Sequence, residues 1–492
     1  MAKAFNNEKY LKIQREEITK RISEFDGKLY LEFGGKLFDD YHASRVLPGF
    51  EPDSKLKMLL GIKDKLEIVI VVNTDDINSN KVRNDTGISY EEEVERLIDA
   101  FKDTGLYVSS VVVSFYRPSC LVDQFITKLE HNNIKTYKHY KINGYPQNIP
   151  LIVSDEGLGK NEYIKTTRPL VIVTAPGPGS GKMATCLSQI YNDNKNGIRA
   201  GYAKYETFPV WNLPLKHAVN LAYEAATVDL NDVNMIDPYH LEAYGKAVVN
   251  YNRDVETFPL LKAIFEKIYG KSPYNSPTDM GVNMVGFAIT DDEATCKASK
   301  EEIIRRYYQV KKNIFLGKFN DNCIDKMEMI INQLDIDIND RRCVQEALLK
   351  AGDYKEPAIA LELSDGRIVT GRTKSLSASA AVLMNALKTL AGIDDSVYLI
   401  SPDVLGPIVN LKTNALGIPN PHLHAEEILI ALAIQATTNP EAKLALEQLP
   451  QLAGCQAHSS TILPTVDMNT FKKIKIDITE EPVSHAKRLY NK

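Results

Sequence analysis

Pro169-Leu-Val-Ile-Val-Thr-Ala-Pro-Gly-Pro-Gly-Ser-Gly-Lys182, continuing as Met183-Ala-Thr-Cys-Leu-Ser-Gln-Ile-Tyr191, decides how the first part of the chain is read. The apolar and β-branched run Leu170 to Thr174 reads as a buried strand, and the apolar stripe after Lys182 reads as a helix. Between them lies a glycine-rich break. Glycines let successive backbone N–H groups turn toward one point, where the helix dipole and a lysine ammonium already favour an anion. Gly177, Gly179, Ser180, Gly181 and Lys182 are therefore the candidate phosphate-binding residues. The match to the nucleotide-binding pattern G-x-x-x-x-G-K-[ST] is imperfect: Pro176 stands at the first glycine and Met183 where a hydroxyl should hold magnesium. Thr185 or Ser180 would have to supply that hydroxyl. The bland reading is a tight strand-to-helix turn.

Outward from this loop, strands and helices alternate. Lys28 to Phe33, Glu67 to Asn73, Val108 to Phe115 and Lys135 to Ile142 read as strands, the last of a polar alternating type that suits an edge, with Leu151 to Ser154 as a short further one; Ala200 to Tyr205 follows the loop helix. Helices are expected at 7–24, 91–102 and 121–130. The near-continuous β-branched run at 67–73 marks a strand covered on both faces of a parallel sheet, so the fold class is α/β with a doubly wound, mostly parallel sheet. Ligands in such sheets bind beyond the carboxyl ends of the strands, which draws attention to Asp75 and Asp76, to Lys204 and Glu206, and to the segment 39–50, which has no apolar periodicity and reads as a long functional loop.

Three domains fit the 492 residues: an N-terminal α/β domain over 1–210, a helical domain over 211–345 and a C-terminal α/β domain over 346–492. The middle holds expected helices at 216–226, 240–251, 259–269, 291–315 and 321–334. Asp237 reads either as a magnesium-side carboxylate or as the turn before Pro238 that starts a helix. Arg253 is a possible phosphate clamp, and Ser272 to Asn283 reads as a turn-rich second ligand loop. The last third opens with two alternating runs around Ser364-Asp-Gly366, a hairpin signal. An alanine-rich helix over 375–390, a strand over 397–401, a helix over 424–437 and a terminal strand over 473–479 follow.

A second candidate site lies there. Pro421-His-Leu-His-Ala-Glu-Glu427 opens an apolar helix, and Cys455-Gln-Ala-His458 comes later. A hairpin, a helix beginning His-x-Glu and a later Cys are distantly like zinc-dependent deaminases, although Gly454 and His458 stand where Pro and Cys belong. Zinc is not expected. His422, His424, Glu426 and His458 otherwise form a polar group able to hold an anion or exchange protons.

Composition sets limits. Hydrophobic residues make up 44% and charged residues 25%, with a net charge of −5; with no sustained basic block, nucleic acid is not an expected partner. No run approaches the roughly 18 apolar residues of a membrane span, and no apolar leader is evident, so a cytoplasmic address is the expectation. The six cysteines show no C-x-x-C pairing.

Phe33-Gly-Gly-Lys-Leu, Tyr41-His-Ala-Ser-Arg-Val-Leu-Pro-Gly-Phe, Ala175-Pro-Gly-Pro-Gly-Ser-Gly-Lys, Glu206-Thr-Phe-Pro-Val-Trp-Asn-Leu-Pro, Ser276-Pro-Thr-Asp-Met-Gly-Val-Asn and Pro421-His-Leu-His-Ala-Glu-Glu together resemble the bacterial uncharacterised protein family 0371, end to end. The resemblance implies an N-terminal α/β region, a helical middle and a C-terminal α/β domain, and no activity. The stretch from the loop through Glu206 is more loosely similar to P-loop enzymes of the dethiobiotin-synthetase type. The residues point first to an enzyme that binds ATP, or another nucleotide or phosphorylated small molecule, with magnesium, for phosphoryl transfer or ATP-dependent ligation: Lys182 on phosphate oxygens, Thr185 or Ser180 and Asp237 on magnesium, and Glu206 or Lys204 toward the second substrate. The rivals are a non-catalytic, homo-oligomeric metabolite-binding protein and a metal-dependent hydrolase or deaminase in the C-terminal domain.

Overall fold

The computed structural model describes residues 3–34, 37–38, 40–83 and 87–484. The chain divides into two compact units, Met1–Ser299 and Lys300–Lys492. Strands in the first unit are β1 (Leu29–Phe33), β2 (Leu66–Asn73), β3 (Val108–Ser114), β4 (Lys135–Lys138), β5 (Leu170–Thr174), β6 (Gly201–Tyr205), β7 (Asn234–Ile236), β8 (Val249–Tyr251) and β9 (Gly281–Val282). Seven of them form one sheet in the order β4-β3-β2-β5-β1-β6-β9, with every neighbouring pair parallel. β7 and β8 make a separate antiparallel pair.

The sheet is covered on both faces because its strands alternate apolar side chains to each. Leu31, Ile70, Val72, Val113 and Ile172 pack with Met58, Leu97, Phe101 and Phe125, which belong to the helices Ser54–Leu60, Tyr90–Asp103 and Cys120–His131. Tyr30, Val71, Val112, Val173 and Tyr202 face the other way, onto Cys186, Leu187, Phe258 and Phe265 of the helices Lys182–Lys195 and Asn252–Tyr269. One strand carries a buried carboxylate: Glu67 Oε1 accepts the backbone N–H groups of Thr167 at 2.6 Å and Arg168 at 2.7 Å, which offsets part of the cost of its burial. β4, polar and half exposed, is an edge as expected.

This order makes a switch point in the sheet. β1 and β2 both leave toward the face of Ser54–Leu60 and Tyr90–Asp103, whereas β5, lying between them, leaves into Lys182–Lys195 on the opposite face. Where neighbouring strands part in this way, open α/β sheets bind ligands beyond the strands' carboxyl ends.

Several local expectations are corrected. The segment 39–50 is no open loop: Asp40 accepts the N–H of Ala43 and caps the helix Tyr41–Val46, and its carboxylate meets Lys55 at 2.8 Å in a buried ion pair. Asp39 lies outside the described residues. Residues 151–154 form no strand, because Asn148 caps the helix Ile149–Ile152. The helix expected over 240–251 runs Pro238–Tyr244 and stops at Gly245, whose φ of 66° only glycine adopts cheaply; β8 follows. Ser272 to Asn283 packs rather than binding as a free loop, for Tyr274 donates to the Tyr202 carbonyl at 2.6 Å and Asn283 to that of Pro209 at 2.8 Å.

The second unit has a four-stranded sheet in the order β11-β10-β12-β13, from β10 (Ala358–Glu362), β11 (Ile368–Arg372), β12 (Gln456–Ser459) and β13 (Asp477–Glu480). β10 and β11 are the expected hairpin, with Gly366 at φ 84° in its turn. Ser377 caps the alanine-rich helix Ala378–Ala391, which ends at Gly392. No strand forms over 397–401: Leu399 and Ile400 are buried in the unit's core, and Ser401 starts the helix Pro402–Asn410. The terminal strand begins only at Asp477, since Thr465–Lys473 is helical. Among the described residues no helix is long and apolar enough to cross a membrane.

Candidate functional site

The glycine loop after β5 is shaped by backbone needs. A Cβ on Gly177 would lie 2.2 Å from the Tyr90 hydroxyl oxygen, so the chain can pass Tyr90 only without a side chain. Gly181 sits at φ 88° and begins the helix Lys182–Lys195 with no side-chain cap bond. A first turn left without a side-chain cap presents backbone N–H groups at the positive end of the helix dipole. Neighbouring strands brace the loop from below: Ser114 Oγ donates to the Ser180 carbonyl at 2.6 Å, and Asn73 Nδ2 to that of Gly179 at 3.4 Å. Ser180 Oγ donates to the Gly177 carbonyl at 2.5 Å.

The groups assigned to magnesium are all engaged within the protein. Ser180 is buried and tied to its own loop. Thr185 is buried with its hydroxyl 3.3 Å from His139 Nδ1, an imidazole that burial pushes down to about 4 and so keeps neutral at physiological pH. Asp237 caps Pro238–Tyr244, accepting the N–H groups of Tyr239 and His240 at 3.0 Å each, and its other oxygen accepts the Thr278 hydroxyl at 2.7 Å.

Lys182 is different. Its ammonium lies 4.0 Å from Glu32 Oε1, with both side chains mostly buried. Glu32 is the fourth residue of β1, in register with Val173 on β5 and Lys204 on β6, and its second oxygen accepts the Tyr202 hydroxyl at 2.8 Å. The sequence reading did not single out Glu32. The available signal was one acid near the carboxyl end of an otherwise apolar buried strand, a position that needs a partner.

On the other side of β1, Lys204 Nζ stands 2.9 Å from Glu206 Oε1 and 2.5 Å from Asp254 Oδ2 and also contacts the Tyr251 hydroxyl. Tyr251 donates to Glu206 Oε1 at 3.0 Å. One ammonium thus serves two carboxylates. Burial, helped by Asp254 and opposed by Lys204, pushes the Glu206 carboxyl up to about 7. A carboxyl whose folded-state value is raised prefers the folded state when protonated: its contribution is complete below the unfolded value of about 4.3 and is lost as pH rises through about 7. The thermal midpoint of wild type is therefore expected to fall between about pH 5 and about pH 7 through this group, and Glu206→Gln to flatten that slope. Equal slopes in scanning calorimetry would refute the assignment. Arg253 is already held by Asp232 at 2.8 Å. Asp75 and Asp76, in the first turn after β2, pair with Arg117 and Lys81.

In the second unit, His424 begins the helix Ala425–Gln435. Its Nδ1 lies 3.0 Å from Asp467 Oδ2, and its N–H donates to Glu427 Oε2 at 2.7 Å. The His422 carbonyl accepts from the buried ammonium of Lys412 at 2.7 Å, and Glu426 is exposed. Cys455, just before β12, and His458, within it, turn to different surroundings. Cys455 and Ala457 join the core, whereas His458 stacks edge-on against Tyr308 at 4.8 Å and contacts Thr479 at 2.8 Å. Among the described residues, His424, Cys455 and His458 do not meet as metal ligands.

Comparison with known proteins agrees with the resemblance. The N-terminal part of DUF1846, a domain of unknown function, matches residues 3–335, and the C-terminal part matches residues 339–490. A UPF0371 protein of Streptococcus pyogenes serotype M5 (strain Manfredo) is 55% identical over 490 residues, 99% of each chain. A UPF0371 protein of Streptococcus thermophilus is 56% identical over 490 residues, again 99% of each. The two DUF1846 parts, which together span residues 3–490, and 55% identity over 99% of the chain place this protein in the UPF0371 family, to which it belongs over essentially its whole length.

Proposed function

We propose that the first unit binds a nucleotide or other phosphorylated small molecule with its terminal phosphate on the loop Gly177 to Lys182, and carries out phosphoryl transfer or ATP-driven ligation toward the adjoining Lys204, Glu206 and Asp254. The observation that carries this reading is the position of the loop. It follows β5 at the point where β5 and β1 part to opposite faces of the sheet, and joins an uncapped helix start to Lys182, which stands beside Glu32 of β1. An arriving phosphate takes over Lys182. Glu32 is then the nearest carboxylate able to hold magnesium against the phosphate oxygens, the role first given to Ser180, Thr185 and Asp237; those three brace the loop and its surroundings instead. Glu206 keeps a proton up to about pH 7 and serves as the acid or base for the second substrate.

Calorimetric titration with ATP and with tripolyphosphate, each with and without magnesium, tests binding, and product analysis tests turnover. No heat from either ligand would end the reading. Glu32→Gln has a distinct signature: removing a negative charge beside Lys182 is expected to tighten magnesium-free tripolyphosphate binding by about tenfold, roughly 1.4 kcal/mol, and to abolish the gain from magnesium. An unchanged magnesium response would remove Glu32 from the role. The internal engagement of Ser180 and Thr185 favours, as a second reading, a metabolite-binding protein without turnover; binding with no product identifies it.

A further inference from the structure

Away from that loop, His217, Asp292 and Cys296 bring a nitrogen, an oxygen and a sulfur together. His217 precedes the helix Ala218–Ala226, and Asp292 and Cys296 stand four residues apart at the start of the helix Asp292–Phe315, a spacing that puts both on one helix face. His217 Nε2 lies 3.0 Å from Asp292 Oδ1 and 3.4 Å from Cys296 Sγ, and all three ligand atoms lie within 4.8 Å of one another. Around a tetrahedral zinc ion, with bonds of about 2.0 Å to nitrogen and oxygen and about 2.3 Å to sulfur, such atoms stand about 3.3 to 3.5 Å apart. The two spacings to His217 need only small adjustment.

We propose that these three side chains form a binding site for one divalent ion of the zinc class, with the fourth position left to water. The donor set selects the ion: imidazole and thiolate favour zinc over magnesium or calcium, whose preferred ligands are oxygens. One thiolate and one carboxylate balance the two charges of the ion. The Asp292 side chain is 66% exposed, so water and metal have access, while His217 is nearly buried and fixed in place.

The metal-free arrangement has its own hydrogen bonds, and binding must exchange them. His217 Nδ1 accepts the Val219 N–H at 3.2 Å, which leaves the ring proton on Nε2, facing Asp292 and Cys296. On binding, the ion bonds to Nε2, a proton is restored at Nδ1, and the contact with Val219 is given up. That contact is a helix cap, and the metal–nitrogen bond replaces it. The thiol proton leaves as the metal–sulfur bond forms, so the balance is one proton released to buffer per ion. No redox step is involved.

The test uses the full-length chain, stripped with chelator and titrated with cobalt(II) alone and then with zinc(II). One equivalent of cobalt is expected to produce a sulfur-to-metal charge-transfer band that one equivalent of zinc abolishes, with about one proton released per ion in weakly buffered solution. Cys296→Ser is expected to lose the band, and Asp292→Asn to weaken zinc binding by at least roughly tenfold, both with unchanged circular dichroism. Cys120→Ser, which alters an exposed thiol elsewhere, is expected to keep the band. No band in wild type, or a band that survives in Cys296→Ser, would overturn the site.

Discussion

Lys182→Ala is expected to weaken tripolyphosphate and ATP binding by at least about a hundredfold, roughly 2.7 kcal/mol, with little change in thermal midpoint. The two halves of this expectation have separate causes. A lysine at an uncapped helix start supplies the one mobile positive charge of the cradle, and charge-assisted hydrogen bonds to phosphate are about twice as strong as neutral ones. Its link to the fold is weak, for its ion-pair contact with Glu32 is 4.0 Å long, and Glu32 keeps the Tyr202 hydroxyl as a donor. Calorimetric titration beside differential scanning calorimetry separates loss of ligand from loss of fold. Equal affinity in variant and wild type would show that the anion, if bound, is held elsewhere.

Arg341→Ala is expected to destabilise the second unit by about 3 kcal/mol or more. Arg341 is buried, and its guanidinium donates to the Ala457 carbonyl at 2.9 Å, the Asp477 carbonyl at 2.7 Å, the Thr479 hydroxyl at 3.1 Å and the Gln456 side chain. Those acceptors lie on β12 and β13, so one side chain ties the two parallel strands together. Truncation removes the guanidinium donors from all four acceptors and leaves the Ala457 carbonyl with the longer bond from the Thr479 hydroxyl at 3.3 Å. Arg341→Lys is expected to restore little, because a single ammonium lacks the planar fork that reaches several acceptors at once. Urea unfolding followed by a probe in this unit measures the change; a loss below about 1 kcal/mol would mean that the strands hold without it.

Much of the architecture was legible locally. The run at 67–73 announced a strand buried on both faces, the polar run at 135–142 an edge strand, of which 135–138 forms, and Ser364-Asp-Gly366 a hairpin, because each signal depends on residues close in sequence. The failures were local too, and capping explains several: Asp40 and Asn148 start short helices where apolar content alone suggested a loop or a strand. Gly245 ended a helix that the pattern continued.

The candidate site was only half legible. Gly177, Gly181 and Lys182 could be named from sequence because a positive φ, a close approach and a helix start are properties of a few consecutive residues. Glu32 could not. It lies 150 residues before Lys182, and the two meet only because β1 inserts beside β5 in the sheet. The second candidate site shows the converse: His424, Cys455 and His458 suggested a cluster by type and order, yet Cys455 joins the core while His458 packs against Tyr308.

The sequence by itself determined the strand-loop-helix at 170–195, the parallel α/β character of the first unit and the hairpin of the second, since hydrophobic period and turn chemistry act over a few residues. Strand order, the partner of Lys182, the engagement of Ser180, Thr185 and Asp237, and the meeting of His217 with Cys296 were decided only in the tertiary structure. Periodicity fixes which face a side chain takes; which neighbour it finds there depends on how distant segments share one core.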